Sequence, residues 1–253
     1  MSGETATKVR VTGLKRSFFV PLIGCPGCQH PIVSRTVGEV LEEMEMDGTA
    51  VVVTGIGCAA GIATLNLDTV LGSHGGAPDT ATAIKRLRPE CMVVTMQGDG
   101  DCIAIGAGSF IGAMTRGENI TIIMSNNTNY GTTGGQTAPT TLIGQKTSTS
   151  PEGRDPLREG YPVHVAELAA TFQGVAYSAR GAVNTAANYQ HTKKYIRNAF
   201  QKQLEGAGLS FVEVLSACPP NWRMEPTECL NWITDKMIPE FPLGEFKNSS
   251  KTG

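Results

Sequence analysis

Two polar elbows and a set of cysteines are the residues of this chain best suited to chemistry. Gly98-Asp99-Gly100 closes the apolar run Cys91–Met96, and Asn126-Asn127 closes the run Ile120–Met124, with 25 residues between Gly100 and Asn126. One carboxylate, one amide oxygen and neighbouring carbonyls suit Mg²⁺, a hard ion that prefers oxygen and completes its shell from phosphates. The glycines let backbone N–H groups approach a diphosphate closely. Either dipeptide alone is an ordinary turn former. The strand–helix–strand spacing favours the cofactor reading, because one crossover returns the chain to the same end of a parallel sheet.

The cysteines form a second constellation. Cys25-Pro-Gly-Cys28 puts two sulfurs on one tight turn, while Cys58 in Gly55-Ile-Gly-Cys58 and Cys218 in Ala217-Cys-Pro-Pro each follow a strand end. Such a set can be a redox dithiol, a tetrahedral zinc site or an iron–sulfur site. Cys91, Cys102 and Cys229 fall in a strand and two helices, where cysteine serves as a small apolar residue.

The elements that must hold these groups alternate. Pro31 opens a helix with Ile32, Val33, Val37, Val40, Leu41 and Met44 on one face. Strands follow at 50–54, 91–96, 120–124, 175–178 and 210–215, with helices at 80–87, 102–116, 163–171 and 188–204. Residues 125–161 are rich in Asn, Thr, Gly, Ser and Pro without periodicity, and an irregular stretch of that length is commonly functional. With 253 residues, 40% apolar and 17% charged, the chain is expected to be one α/β domain, 1–253, doubly wound around a mainly parallel sheet. Its 30 glycines suit close backbone approaches. The net charge of −2 gives no general attraction to nucleic acid or an anionic membrane. No basic-then-apolar leader is read at residues 1–10 and no apolar run nears the roughly 20 residues of a membrane span. A cytoplasmic protein with reduced thiols is therefore expected.

The segment Asn126-Asn-Thr-Asn-Tyr-Gly-Thr-Thr-Gly-Gly-Gln-Thr-Ala-Pro-Thr-Thr-Leu-Ile-Gly-Gln145, together with Gly98-Asp-Gly and Glu213-Val-Leu-Ser-Ala-Cys-Pro-Pro-Asn-Trp222, resembles the β subunit of the 2-oxoacid:ferredoxin oxidoreductases. The similarity runs from about Cys25 to Leu243 and is greatest to the short-chain branch acting on branched-chain 2-oxoacids and 2-oxoglutarate. It implies the thiamine diphosphate-binding fold, with Asp99 and Asn127 holding Mg²⁺ by side chain and Asn129 by its carbonyl. Gly98, Gly100, Asp101, Tyr130, Gly131 and Thr132 would complete the cofactor site. It also implies one [4Fe–4S] cluster on Cys25, Cys28, Cys58 and Cys218.

The implied reaction is oxidative decarboxylation of a 2-oxoacid with coenzyme A to acyl-CoA and CO₂, electrons passing through the cluster to ferredoxin. The glutamate that activates the cofactor would come from a partner α subunit, with γ and ferredoxin-like δ subunits as further partners. The clustered Glu39, Glu42, Glu43 and Glu45 are expected on the solvent side of the first helix. His74, in Gly72-Ser-His-Gly-Gly76, occupies a His-Gly-Arg segment that approaches the cofactor, and is the candidate catalytic residue of this chain; Gly76 stands where arginine is usual. Thr132 and Gln29 depart from the family pattern in the same way, replacing Met or Leu and glycine. His30, His164 and His191 are read as structural, and His191–Arg197 as a solvated helix face or a cationic docking patch. Two further readings stay open: a non-redox thiamine diphosphate-dependent decarboxylase or lyase, and a zinc-stabilised binding module. An oxidoreductase for an aryl 2-oxoacid such as phenylglyoxylate is a variant of the first-named activity.

Overall fold

The computed structural model describes residues 24–46, 48–61 and 65–249; the amino-terminal stretch read for a leader lies outside them. In chain order the elements are α1 (His30–Glu43), β1 (Ala50–Thr54), α2 (Cys58–Gly61), β2 (Asp68–Leu71), α3 (Ala77–Leu87) and β3 (Met92–Gly98). A π-helical turn (Gly100–Ile105) leads into α4 (Ala107–Arg116), then β4 (Thr121–Asn126), β5 (Asn129–Tyr130), β6 (Gln136–Thr137), α5 (Pro156–Glu159) and α6 (Val165–Ala170). There follow β7 (Val175–Ala182), α7 (Ala186–Leu204), β8 (Leu209–Leu215), α8 (Pro219–Trp222), α9 (Pro226–Trp232), a second π-helical turn (Ile233–Met237), α10 (Ile238–Glu240) and β9 (Gly244–Asn248).

Seven strands form one sheet in the order β2-β1-β3-β4-β8-β7-β9, all parallel except β9. Helices cover both faces, so the central strands read as continuous apolar runs whose side chains alternate between two cores. Met92, Val94 and Met96 of β3 pack with α1 and α7, whereas Val93 packs with α3, α4 and α6. On α1, Val33, Val37, Val40 and Leu41 are wholly buried, the stripe expected of a helix laid on a sheet. Among the described residues no helix is long and apolar enough to cross a membrane.

The expected boundaries moved for identifiable reasons. Helix α3 starts at Ala77 rather than Thr80, because Pro78 is suited to a first turn. The expected helix 102–116 is two segments: the Gly106 N–H bonds to the Asp101 carbonyl at 2.9 Å, five residues back. Cys91 precedes β3 instead of lying in it. Strand β2 was not foreseen, since all four of its residues are exposed and carry no buried pattern. Nor was β9, which joins the sheet antiparallel at the other edge.

The irregular stretch 125–161 is ordered around Arg154. Its guanidinium, buried, donates to the carbonyls of Ala138, Pro139, Thr141, Glu159, Gly160 and Tyr161. The His191–Arg197 face is not a free patch. Lys193 bonds Glu39 and Glu43 of α1 at 2.9 and 2.5 Å, and Arg197 pairs with Glu43, so two of the glutamates expected to face solvent form a seam between α1 and α7.

Candidate functional site

The parallel register brings five strand ends to one level. Thr54 pairs with Leu71 and Met96, Gly98 with Ser125, and Asn126 with Leu215. The loops leaving those ends carry Cys58, His74, Asp99, Asn127 and Cys218, so both constellations sit at the carboxyl edge, where ligands of open α/β sheets bind. Between them lies a cleft of about 160 Å³ lined by His30, His74, Asp99, Asn127, Asn129, Cys58 and the Gly131–Thr133 backbone, among others.

The floor of the cleft is an oxygen cluster. The Asn127 side-chain amide lies 2.8 Å from the Asn129 carbonyl oxygen and 3.2 Å from Asp99 Oδ1, its oxygen turned toward both. In one orientation the amide nitrogen donates to both acceptors; in the other its oxygen joins them as a third oxygen that a cation between them would need. An octahedral Mg²⁺ with bonds of about 2.0–2.1 Å needs adjacent oxygens about 2.9 Å apart, so the trio fits such an ion. Asp99 is buried, and burial pushes its carboxyl up to about 7, against the hydrogen bonds donated by Thr140 and by backbone N–H groups.

The loop holding the trio is strained. Thr128 has φ +57°, a left-handed conformation costly for a β-branched residue. Gln145 Nε2 bonds its hydroxyl at 2.8 Å, Thr141 bonds its carbonyl at 2.6 Å, and Asn126 Oδ1 accepts its N–H at 3.0 Å. The Trp222 indole donates to the Asn127 carbonyl at 3.1 Å. The Tyr130 ring lies so close over Gly100 that a Cβ there would sit 2.2 Å from it.

Asp101 lines the cleft but is occupied with holding it together. Oδ1 accepts the N–H groups of Ile56 and Gly75 at 3.2 and 2.8 Å and stands 2.6 Å from His74 Nδ1, while Oδ2 accepts from Gln97 at 2.6 Å. One carboxylate thus ties three strand-end loops. Facing a carboxylate oxygen, Nδ1 is the ring nitrogen of His74 placed to donate.

The sulfurs gather beside the Gly131–Thr132 segment, with Cys58 also lining the cleft. The Cys28 N–H bonds the Cys25 carbonyl at 3.0 Å, closing the turn. The Cys28 thiol is raised to about 11 by burial, with Cys218, Cys58 and Cys25 adding to the rise and the His30 N–H opposing it. Burial also raises the Cys218 thiol, against a hydrogen bond from Asn221 Nδ2 at 3.3 Å. Cys58 Sγ lies 2.9 Å from Thr132 Oγ1. Asn221 bonds the Gly131 carbonyl as well, at 2.9 Å, so one side chain bridges the cofactor loop and the sulfur site. Among the described residues no three His, Cys, Asp or Glu side chains are grouped tightly enough for a single ion. Cys91, Cys102 and Cys229 are buried, as core residues should be.

Three features escaped the sequence reading. Gln29 replaces a family glycine with a clasp: Nε2 donates to the Val183 carbonyl at 3.1 Å and Oε1 accepts the Ala217 N–H at 3.0 Å, pinning the cysteine turn to the ends of β7 and β8. Beneath Asn126 lies a buried ion pair, Arg180 with Glu213, whose carboxylate takes the Asn126 amide at 2.7 Å. His30, read as structural, is buried on the cleft wall with neither ring nitrogen bonded, and burial lowers its imidazole to about 4. His164 does keep a structural role, bonding Glu240 at 3.1 Å and packing on Phe241.

Comparison with known proteins accords with this geometry. The family described as thiamine pyrophosphate enzyme, C-terminal TPP binding domain, matches residues 55–214. The chain is 37% identical over 227 residues to ketoisovalerate oxidoreductase subunit VorA of Methanothermobacter thermautotrophicus, covering 89% of this chain and 48% of that protein. It is 39% identical over 222 residues to 2-oxoglutarate synthase subunit KorB of Archaeoglobus fulgidus, covering 87% and 78%. The chain thus spans about half the length of VorA and most of KorB. A solved 2-oxoglutarate:ferredoxin oxidoreductase from Magnetococcus marinus, with 2-oxoglutarate, coenzyme A and succinyl-CoA bound, superposes with TM-score 0.77 at 23% identity, over 94% of this chain and 85% of that one, which shows a shared fold. The chain belongs to the thiamine pyrophosphate enzyme family, in the branch of thiamine diphosphate-binding subunits of 2-oxoacid oxidoreductases.

Proposed function

We propose that this chain is the thiamine diphosphate-binding subunit of an enzyme that oxidatively decarboxylates a 2-oxoacid, forms an acyl-CoA and delivers electrons through a [4Fe–4S] cluster to ferredoxin. The observation that carries the reading is the contact between its two halves: Asn221 bonds both the cofactor-loop carbonyl of Gly131 and Cys218 Sγ, and Cys58 Sγ lies against Thr132 of the same loop. A diphosphate site and a four-thiol site joined by such contacts suit a reaction that must move electrons from one to the other.

Bound thiamine diphosphate supplies an electron sink for the pair left when CO₂ departs. The chain's own residues do the rest. Asp99, Asn127 and the Asn129 carbonyl hold Mg²⁺, and the Gly98–Gly100 and Gly131–Thr132 backbones cradle the diphosphate. Tyr130 shields that loop from water. His74, oriented by Asp101, presents Nε2 as a proton acceptor at the cleft. Cys25, Cys28, Cys58 and Cys218 ligate the cluster. Among the described residues no glutamate lines the cleft, so the activating carboxylate is assigned to a larger α subunit in a hetero-oligomer of the cytoplasm, with γ and ferredoxin-like δ subunits as further candidates.

The test is anaerobic purification followed by assays of thiamine diphosphate, magnesium, iron and sulfide. Four irons and one thiamine diphosphate per chain are expected, and viologen reduction dependent on 2-oxoacid and coenzyme A should require co-purified partner. An iron-free protein that still decarboxylates would overturn the redox half in favour of a lyase.

A further inference from the structure

A buried imidazole with both nitrogens unsatisfied is costly, since a lost hydrogen bond in a desolvated place costs about 1–3 kcal/mol per group. His30 is such a group: it is 3% exposed, neither Nδ1 nor Nε2 has a partner, and it lines the cleft that holds Asp99, Asn127 and Asn129. Asn129 Oδ1, beside the metal trio, is a second buried atom of this cleft without a partner, whereas the neighbouring groups are committed. Asp101 accepts four bonds, Gln29 is bonded at both ends, and Thr140 is committed to Asp99.

The position of His30 is also fixed from three sides. It begins α1, its neighbour Gln29 is clasped to Val183 and Ala217, and Pro31 stiffens the next residue. Its own backbone N–H is directed to Cys28. Only the side chain is left for the cleft. A neutral imidazole offers one N–H donor and one acceptor, and the group with most unshared acceptors in this cleft would be a phosphate.

We infer that the His30 imidazole donates a hydrogen bond to the diphosphate bound in this cleft, making it a binding residue for the anion alongside the Mg²⁺ ligands. This rests on reading the cleft as a diphosphate site, and deepens it by naming a contact in that cleft besides the metal trio. The sulfur ligands lie near but do not need the ring, because the Cys28–His30 bond is made by the backbone.

The experiment measures binding and stability of the full chain rather than turnover. Wild type, His30→Phe and His30→Gln are titrated anaerobically with thiamine diphosphate plus Mg²⁺ and, separately, with inorganic diphosphate plus Mg²⁺, by calorimetry and thermal melting. His30→Phe is expected to weaken both ligands by roughly tenfold to a hundredfold, the effect of one charge-assisted hydrogen bond. Its ligand-free melting temperature should be unchanged or higher, because an unsatisfied polar ring has been replaced by an apolar one, while the ligand-induced rise shrinks. His30→Gln, which keeps a donor, should recover part of the affinity, and iron content should stay at the wild-type level in both. Equal affinity in His30→Phe, or loss of iron with cofactor affinity intact, would overturn the inference. Failure of wild type to bind either ligand would instead overturn the diphosphate reading itself.

Discussion

Arg180 Nε lies 2.8 Å from Glu213 Oε2, and neither side chain has any solvent exposure. The pair is not isolated: Arg180 also bonds Glu167 and the Pro242 carbonyl and stacks on Phe241 and Phe246, while the other oxygen of Glu213 holds Asn126. Removing one member strands a buried charge, which costs about 3–5 kcal/mol. Arg180→Met should therefore lower the unfolding free energy by that order in urea titrations. Glu213→Gln should be milder globally but should loosen Asn126.

Asp99→Ala is expected to abolish retention of thiamine diphosphate on desalting, since the metal trio loses its only formal charge. Thr140→Val, which removes only the hydrogen bond that orients the carboxylate, should weaken Mg²⁺-dependent binding by roughly 10–100-fold. Full occupancy in Asp99→Ala would refute the ligand assignment.

Serine at Cys25, Cys28, Cys58 or Cys218 should sharply reduce iron per chain, because oxygen replaces a soft thiolate. Cys91→Ser, in the core beside β3, should leave iron unchanged. The opposite pattern for Cys91 and Cys218 would mean a different ligand set.

Asp101→Asn should release His74 from its single tautomer, seen by nitrogen NMR of the ring as a mixture of Nδ1–H and Nε2–H forms. Turnover of the reconstituted complex should fall by roughly a hundredfold or more. Gly55→Ala provides an independent route to the same state, because its Cβ would lie 2.0 Å from Asp101 Oδ2 and must displace it.

Arg154→Lys should not substitute for the planar guanidinium that bonds six carbonyls. The expected outcome is loss of order in 138–161, detected as new cleavage there in limited proteolysis, with stability lowered on the order of 3 kcal/mol. An unchanged digestion pattern would show that the segment is held by other contacts.

Much of this site was legible because its parts obey local rules. Glycine-rich elbows after β-branched runs mark strand ends, and parallel strands put those ends together, so spacing placed the two elbows at one sheet edge, while the pairing of Asp99 with Asn127 came from the family resemblance. Cysteines on turns differ visibly from cysteines in apolar runs. What stayed hidden depends on long-range partners. Nothing local in Gln29 announces bonds to residues more than 150 positions away, and Lys193 looks solvated until Glu39 arrives from another helix. The burial of His30 on the cleft wall was hidden too, since a histidine before proline at a helix start carries no local sign of what it will face. Arg180 and Glu213 lie within apolar strands, where charge suggests an edge rather than a fully buried pair.

The π-helical turn after Gly100 has a consequence in the arithmetic of insertion and deletion. Because the Gly106 N–H reaches back five residues to Asp101, this turn holds one residue more than an ordinary helix would. Five residues at the roughly 80° each of a π turn and four at the 100° of an α-helix come to the same rotation of about 400°. Deleting a single residue between 102 and 105 would therefore regularise the helix while leaving Asp101 beside His74 and keeping Phe110 and Met114 in the core. The turn is thus the place in this helix where the chain can lose a residue without moving the site.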